Sequence, residues 1–494
     1  MRVSKTPGLE FPPGTPLLAQ VFCALFASAL ACAPASAGQW RISPSVGVST
    51  IASDNANAAT DREDRNSDVI GTVSPGITVN GSGGRVSLDF AYTHERFESL
   101  QDTSDASATN TLLANGQAEI FDRTAFLAFN SSITRQVVDS RQPVSSVDTG
   151  SDNNRTTVRT ASLRPFFLHH LGTWLETESR YRFDVSQSDS SEISKTRSNG
   201  ETFTVNSGRR FSVFTFSGVL TRDTTIRGGD QPSTTQTDAT TDYRLRVGPG
   251  FALLSSVGWQ NVDDPTLEEE IRGLTWNVGF SAQPNSRSSI ELTYGREFET
   301  DDINLSANYA PSARTNFTAS YSQTLTTSEQ ILSDDLGFVV DNGFGTLIDS
   351  RTGLPFDPTN QNFDFENSLF RQQVLSVGFS ASRRRNSYSG NLSWERREDE
   401  STEIESEVLS LSLSVSRTIN SRLSASLSGT ASLNDTGTAD EREDKEFGLS
   451  ASLTYLLMKN TNASLAYSTN RVRSNIGANN FHDNVVTLSL AHQF

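Results

Sequence analysis

The chain has 494 residues, a hydrophobic fraction of 35% and a formal net charge of −17 at pH 7. Its length suits two or three soluble domains or one large β-barrel. The low apolar fraction would favour disorder in a soluble protein, but it suits a membrane barrel, in which only alternate strand residues face lipid. The acidic excess argues against nucleic acid as a partner, because phosphate binding requires clustered Lys and Arg.

Residues 1–37 have the features of a cleaved export signal. A basic start is followed by the mostly apolar run 17–33, and Ala35-Ser36-Ala37 fits the small-residue cleavage pattern. A membrane anchor is a weaker alternative, because a polar residue interrupts the run and a proline follows it. A lipoprotein link through Cys32 is weaker still. We predict that the mature chain begins at Gly38.

The mature chain is predicted to form one domain, 38–494. Both cysteines, Cys23 and Cys32, lie in the signal, so neither disulfide nor thiol chemistry is expected. No later stretch has about 18 consecutive apolar residues, so no transmembrane helix is expected. The first strand begins at Trp40, which leaves no room for an N-terminal plug and disfavours the plugged 22-stranded transporters.

From Trp40 to the C-terminus, runs of alternating apolar and polar residues predict β-strands with one apolar face each. About 22 such runs are found, and a misread hairpin would change the number by two. The predicted strands are Trp40–Val48, Val69–Val79, Val86–Tyr92, Leu112–Ile120, Ala125–Ile133, Val158–Leu168, Leu175–Val185, Glu201–Asn206, Phe211–Thr221, Tyr243–Val247, Leu253–Trp259, Leu274–Ala282, Ile290–Phe298, Ile303–Tyr309, Phe317–Tyr321, Val374–Ser382, Tyr388–Trp394, Leu409–Val415, Leu423–Leu433, Phe447–Tyr455, Ala463–Tyr467 and Asn484–Phe494.

The connections between these runs fall into two length classes that alternate along the chain. Nearly every odd-to-even connection is long and polar, and every even-to-odd connection is short. Outer-membrane barrels have long external loops, short periplasmic turns and both termini in the periplasm. A soluble sandwich or propeller has no reason to sort its loops in this way, and a solenoid would show a short repeat motif. The sequence therefore predicts an all-β, antiparallel, up-and-down transmembrane barrel in the outer membrane of a Gram-negative bacterium.

The last run, Asn484–Phe494, is predicted to close the barrel against Trp40–Val48. Its apolar face ends on a terminal aromatic residue, which suits an interfacial girdle. This strand resembles the C-terminal assembly signal of bacterial outer-membrane proteins, and it departs from that signal at His492. The predicted assembly signal consists of Val486, Leu488, Leu490 and Phe494.

Charged residues occupy the non-apolar face of several predicted strands, where they would line the lumen because charges face lipid only at high cost. One interpretation is a selectivity lining for a polar solute. The alternative is a solvated or internally salt-bridged wall, since both signs interleave. The lumen-lining candidates are Glu176, Glu178, Arg180, Arg182, Asp184, Asp242, Arg244, Arg246, Glu291 and Glu297.

The longest loop, 326–368, contains its own apolar residues and is therefore expected to be ordered rather than free in water. It could fold into the lumen as a constriction, cover the mouth as a lid, or form a surface hairpin without a gating role. The gating candidates within it are Asp341, Asp349, Arg351, Thr352, Gly353 and Pro355.

No motif points to an active site, a metal site or a cofactor. The five histidines are scattered, and none pairs with a nucleophile motif, so we expect no enzyme. Acidic loops such as 61–68 and 440–444 could bind divalent cations, but they lack the glycine-turn ligand pattern and read better as solvated loops.

The signal running straight into a strand, the hairpin array, the segment Asp349-Ser350-Arg351-Thr352-Gly353-Leu354-Pro355 and the terminal Phe494 together resemble the PEP-CTERM system-associated outer-membrane proteins. The resemblance covers most of the mature chain. It implies a role beside exopolysaccharide loci and exosortase-type sorting, in export or surface display of a polysaccharide or sorted protein. It transfers no catalytic residue.

Three hypotheses follow from these patterns. The first is a barrel that assists exopolysaccharide or sorted-protein export, with the polysaccharide or its periplasmic export proteins as partners. The second is a passive general porin, and the third is a structural or adhesive barrel that presents acidic loops. All three require outer-membrane lipid and the barrel-assembly machinery as partners.

Overall fold

The computed structural model describes residues 39–101, 106–139, 142, 145, 148, 154–190, 195–228, 232–267, 270–328, 330–331, 339–341, 347–349, 363, 368–437, 442–476 and 479–494. The predicted signal, 1–37, lies outside the described residues. In the part of the chain that is described, no helix is both long enough and apolar enough to cross a membrane.

The elements whose residues are all described are 24 strands and one short 3₁₀ helix, Arg62–Asp64. The strands are β1 Gln39–Ser53, β2 Asp68–Ser82, β3 Val86–Ser99, β4 Ser107–Phe121, β5 Ala125–Val137, β6 Arg155–Leu171, β7 Leu175–Ser188, β8 Thr196–Ser207, β9 Phe214–Arg227, β10 Thr234–Gly248, β11 Phe251–Asp263, β12 Ile271–Asn285, β13 Ser288–Glu297, β14 Thr300–Ser312, β15 Thr315–Thr326, β16 Val339–Asp341, β17 Leu347–Asp349, β18 Phe370–Arg383, β19 Asn386–Asp399, β20 Glu405–Thr418, β21 Leu423–Asp435, β22 Glu443–Met458, β23 Thr461–Ser474 and β24 Phe481–Gln493.

Within the described residues, 22 of these strands form one closed antiparallel barrel, as predicted. Each barrel strand pairs with its neighbour in sequence. The barrel closes where Ser45–Ser53 of β1 pairs with Val485–Gln493 of β24. Closure pairs every strand on both edges, so no backbone donor or acceptor of a sheet edge faces lipid.

Most strands are longer than predicted, and they extend at the end of the barrel that carries the long loops. The run Val86–Tyr92 continues to Ser99 in β3, and Tyr243–Val247 begins at Thr234 in β10. Backbone pairing continues above the apolar zone, where outward residues are no longer apolar, so the alternation signal ends before the strand does.

Two predicted turns are displaced in the structure. His169 and His170, expected in a turn, pair with Thr177 and Glu176 inside the β6–β7 ladder, and the turn begins at Gly172, whose φ is 63°. A glycine adopts this left-handed conformation without steric cost, so the reversal occurs there. Phe211, expected to begin a strand, lies in the β8–β9 connection instead.

The connection between β13 and β14 departs from the predicted length classes. It lies at the long-loop end, yet it consists of Phe298 and Glu299 alone, with φ values of 47° and 62°. Two consecutive left-handed residues are typical of a two-residue hairpin turn, which usually contains Asn or Gly. Phe298 is nevertheless buried, packed with Val262 and Leu325.

The substitution Glu299→Gly should stabilise the barrel by about 1 kcal/mol, because glycine removes the steric cost of the left-handed conformation. Denaturant unfolding in bilayers measures the change. The matched variant Phe298→Gly relieves the same strain but removes a buried ring, and should destabilise by about 3 kcal/mol. Equal effects of the two variants would contradict this account of the turn.

The long loop contains a small separate sheet. Val339–Asp341 pairs with Leu347–Asp349 in an antiparallel hairpin formed by β16 and β17. Two gating candidates, Asp341 and Asp349, therefore end hairpin strands. The other four gating candidates, Arg351, Thr352, Gly353 and Pro355, lie outside the described residues, and the gating role of all six stays a prediction.

Candidate functional site

The outer face of the barrel is apolar. Val486, Leu488 and Leu490 of β24 are 44%, 58% and 46% exposed, and comparable side chains repeat at every second residue on the neighbouring strands. Such a continuous apolar surface would be unfavourable in water and is stable in lipid. The opposite parity of each strand therefore faces the lumen.

Aromatic residues mark the edge of this apolar surface that lies nearest the long loops. Four rings donate a hydrogen bond to an acceptor on the next strand, two residues nearer the long-loop end. Amphipathic rings prefer this position at the boundary between hydrocarbon and water. The pairs are Tyr92–Asn110 at 2.8 Å, Tyr181–Asn199 at 3.1 Å, Tyr467–Asn484 at 2.8 Å and Trp394–Glu407 at 2.7 Å.

The four residues of the predicted assembly signal lie on this outer face, at the closing seam. The backbone N–H of Phe494 donates to the carbonyl of Pro44 at 2.8 Å. His492, the departure from the signal, donates to or accepts from Thr461 Oγ1 through Nδ1 at 2.8 Å and packs edge-on against Phe494. It therefore fills an interfacial position as an amphipathic ring.

One wall of the lumen carries ion pairs, and Arg182 is at its centre. Its Nη2 lies 2.6 Å from Asp223 Oδ1 on β9, and its Nε lies 3.0 Å from Asp184 Oδ2. The guanidinium spans β8 above Gly200, where a Cβ atom would lie 2.4 Å from the Asp223 carboxylate. On the same strand, Arg180 pairs with Glu178 at 2.7 Å.

The other lumen-lining candidates are spread over the same wall. Arg244 Nη1 lies 3.4 Å from Glu291 Oε2, so β10 and β13 are linked across the two strands between them. Glu297 lies near two further carboxylates, Asp238 and Asp302. Glu176, Asp242 and Arg246 share the parity of these residues on β7 and β10. The structure thus brings six of the ten candidates into ion pairs with one another or with Asp223.

Sequence reasoning missed Asp223, Asp238 and Asp302. Each lies where its strand has left the apolar zone, so the alternation that identified the other candidates is absent. The signal that could have found Asp223 is its parity, since Asp223 falls on the same face as Thr221 if the predicted strand is continued by two residues.

The opposite wall, from β18 through β24 to β2, is lined mainly by serine and threonine. Hydroxyls that face each other across neighbouring strands form hydrogen bonds. A hydroxyl is both donor and acceptor, so these pairs leave further bonding capacity towards the lumen. The pairs are Ser393–Ser410 at 2.6 Å, Ser426–Ser452 at 2.7 Å, Ser428–Ser450 at 2.6 Å, Ser464–Ser489 at 2.5 Å and Ser49–Thr72 at 2.5 Å.

Near the long-loop end, buried side chains form two apolar clusters, and those of the first cluster have lumen parity. One contains Ile51, Ile70, Phe97 and Val485, all buried, on the four strands around the seam. A second contains Val262, Ile271, Phe298, Leu325 and Leu369. The burial of these side chains shows that they are shielded from water by one another and by neighbouring parts of the chain.

Parts of three loops lie in the mouth at the long-loop end. Ser145 of the β5–β6 connection donates from Oγ to Asp483 Oδ2 at 2.9 Å, although β5 and β24 are separated by four strands. Asn55 of the β1–β2 connection donates to the carbonyl of His482 at 3.1 Å. Gln330, at the start of the longest loop, lines a cavity with residues such as Asn115 and Arg182 on the facing wall.

An ion pair ties the rim between β9 and the β11–β12 connection. Arg227 Nη1 lies 3.6 Å from Asp264 Oδ2. Burial raises the pKa of Asp264, but hydrogen bonds from Thr234 and Thr266 and the charge of Arg227 outweigh it, so the pKa lies below its usual value. Among the side chains that the structure describes, no group of three or more His, Cys, Asp or Glu is placed to hold a metal ion.

Comparison with known proteins supports the assignment of the chain as an outer-membrane β-barrel. A profile of the family described as "Putative beta-barrel porin 2" matches residues 397–494, which include β20 to β24. The fold is that of an outer-membrane β-barrel. A search of curated protein sequences found no match.

Solved outer-membrane proteins resemble the chain in structure. The siderophore receptor PirA from Acinetobacter baumannii is 8% identical over 92% of this chain and 80% of its own, with a TM-score of 0.51. A ferric enterobactin receptor (PfeA) mutant from Pseudomonas aeruginosa is 10% identical over 91% and 80%, with a TM-score of 0.49. OpdK with vanillate, also from Pseudomonas aeruginosa, is 8% identical over 92% and 99%, with a TM-score of 0.35. At these identities the likeness concerns the fold alone.

Proposed function

We propose that the protein is an outer-membrane channel of a Gram-negative bacterium that admits hydroxyl-rich solutes and is narrowed at its long-loop mouth by its own loops. The observation that carries this proposal is the pairing of a neutral serine wall with an ion-paired wall inside one closed barrel. A lining of this kind offers hydrogen bonds without a dominant charge. No catalytic step is required.

The cargo that fits best is an exopolysaccharide, as the resemblance to PEP-CTERM system-associated proteins implies. Sugar hydroxyls both donate and accept, and so do the paired serines Ser426 and Ser452 or Ser428 and Ser450. Export or surface display of a sorted protein is the related possibility within the same system. Periplasmic export proteins would then deliver the cargo at the short-turn end, and the barrel-assembly machinery would insert the barrel.

A passive porin is the second candidate, and the family profile over 397–494 favours it. The two candidates differ in the resting state of the mouth. A passive porin requires a continuous water path, whereas an exporter requires a mouth that is closed until cargo arrives. The buried apolar clusters around Ile70 and Ile271, at the long-loop end of the barrel, favour the closed mouth.

Planar-bilayer conductance tests this proposal. We expect the complete protein to conduct poorly and a variant that lacks 332–362 to conduct several-fold better. The matched control lacks 438–441, a connection at the same end, and should behave like the complete protein. A soluble neutral polysaccharide added at the short-turn side should block the opened variant.

The other outcomes identify the alternatives. A steady open pore in the complete protein, unchanged by the deletion, would contradict the narrowed mouth and support the passive porin. No conductance in either protein would support the structural or adhesive barrel. Conductance without block by polysaccharide would contradict the proposed cargo and leave the channel itself supported.

A further inference from the structure

The two ends of the barrel carry opposite charge. The ten short connections contain ten Arg or Lys and a single Asp, whereas the eleven connections at the other end contain 29 Asp or Glu and six Arg or Lys. Eight of the ten short connections have at least one basic residue. These residues are Arg85, Arg123, Arg209, Arg210, Arg287, Arg314, Arg384, Arg385, Arg422 and Lys459.

The basic residues are exposed, and some of them lie beside aromatic residues at the short-turn end of the apolar surface. The guanidinium of Arg210 stacks 3.9 Å above the ring of Trp174. Arg314 lies in the turn that joins the strands of the stacked pair Tyr309 and Phe317. An Arg at this position can lay its stem along apolar surface while its charged group stays at the level of the lipid headgroups.

We propose that this basic ring binds the anionic phospholipid headgroups of the leaflet that the short turns face. The guanidinium fork matches phosphate geometry and donates two hydrogen bonds to it. In outer-membrane barrels the short turns face the periplasm, so the bound lipids belong to the periplasmic leaflet. The inference depends on the membrane placement of the barrel, and it is independent of the solute that the channel carries.

The distribution of the charges favours lipid over a protein partner. Basic turns occur all the way round the barrel, from the β2–β3 connection to the β22–β23 connection. A folded protein partner would contact one arc of this rim, so basic residues would be needed on that arc alone. Lipid headgroups surround the whole circumference, so they are the partner that meets every turn. The opposite end, with its acidic excess, would repel the same headgroups.

Lipid selectivity of the complete protein tests the ring. The protein is reconstituted in phosphatidylcholine vesicles that contain a minor fraction of phosphatidylglycerol, and electron spin resonance of spin-labelled lipids reports the preference for phosphatidylglycerol. The test variant combines Arg314→Gln, Arg384→Gln and Arg422→Gln on three neighbouring short turns. The control combines Arg62→Gln, Arg272→Gln and Arg473→Gln at the long-loop end, with the same change in net charge.

We expect the complete protein and the control to prefer phosphatidylglycerol. In the test variant, the affinity for phosphatidylglycerol at the altered turns should fall about fivefold for each removed charge that contacts a headgroup. The preference should also weaken with added salt. An equal loss in the control would overturn the proposal, because net charge rather than the ring would then be responsible. An absent preference, with binding of a soluble polyanion instead, would also overturn it. Heat-modifiable migration shows that each variant is folded, and Arg314→Gln alone provides a milder version.

Discussion

Leu490→Arg should destabilise the barrel in a bilayer by about 2–4 kcal/mol, because it places a charge on the lipid face near mid-membrane. Leu490 lies midway along the outward side chains from Val486 to Phe494, and it pairs with Val48 across the closing seam. The substitution therefore weakens the closure of the barrel as well as its contact with lipid. The unfolding free energy from denaturant titration in phospholipid vesicles measures the effect.

The neighbouring residue provides the control. Ala491 has lumen parity, so Ala491→Arg places the same charge in water and should change the unfolding free energy by about 0.5 kcal/mol or less. If both variants lose the same free energy, the assignment of the two faces is wrong. If neither does, the apolar surface described above does not contact lipid.

Arg182→Ala should lower the unfolding free energy by about 1–3 kcal/mol and make the channel more selective for cations. The substitution leaves Asp184 and Asp223 facing each other without their shared cation, and both carboxylates are largely shielded from water. The negative charges that the substitution leaves in excess in the lumen attract cations and repel anions. The reversal potential in a salt gradient, measured with the loop-shortened variant if the complete protein conducts poorly, reports the selectivity.

Gly200→Ala separates geometry from charge in this experiment. Its Cβ would collide with the Asp223 carboxylate, so it disrupts the ion pair while every charge remains. It should reduce stability in the same way but shift the reversal potential much less. Arg272→Ala, an exposed arginine of the outer face, should change neither quantity. An unchanged reversal potential in Arg182→Ala would place this arginine outside the solute path.

The alternation of residues, together with the two classes of loop length, predicted the barrel, the strand number and the closing pair. Lipid contact dictates this alternation, so runs such as Val486 to Leu490 carry a clear signal. Beyond the bilayer the outward side chains are free to be polar. The sequence pattern therefore did not predict the long-loop ends of β3 and β10, although their backbones continue the same hydrogen-bonded ladders.

The lumen was predicted in part, because charges on the non-apolar face are conspicuous and small hydroxyls are not. Glu178, Arg180 and Arg182 were identified as lumen candidates, whereas Ser426 and Ser450 were read only as the polar phase of their strands. The contacts between distant segments, such as Ser145 with Asp483, could not be predicted. They depend on how loops fold over the mouth, and no local pattern encodes that.

The serine wall also has a kinetic consequence. In each pair, such as Ser428 with Ser450 or Ser464 with Ser489, either oxygen can be the donor. An exposed hydroxyl rotates in picoseconds to nanoseconds. The direction of each hydrogen bond can therefore reverse faster than a polymer advances by one unit. A sliding chain would then meet neither a deep minimum nor a fixed mismatch at any step. Such a surface favours rapid transit over tight binding.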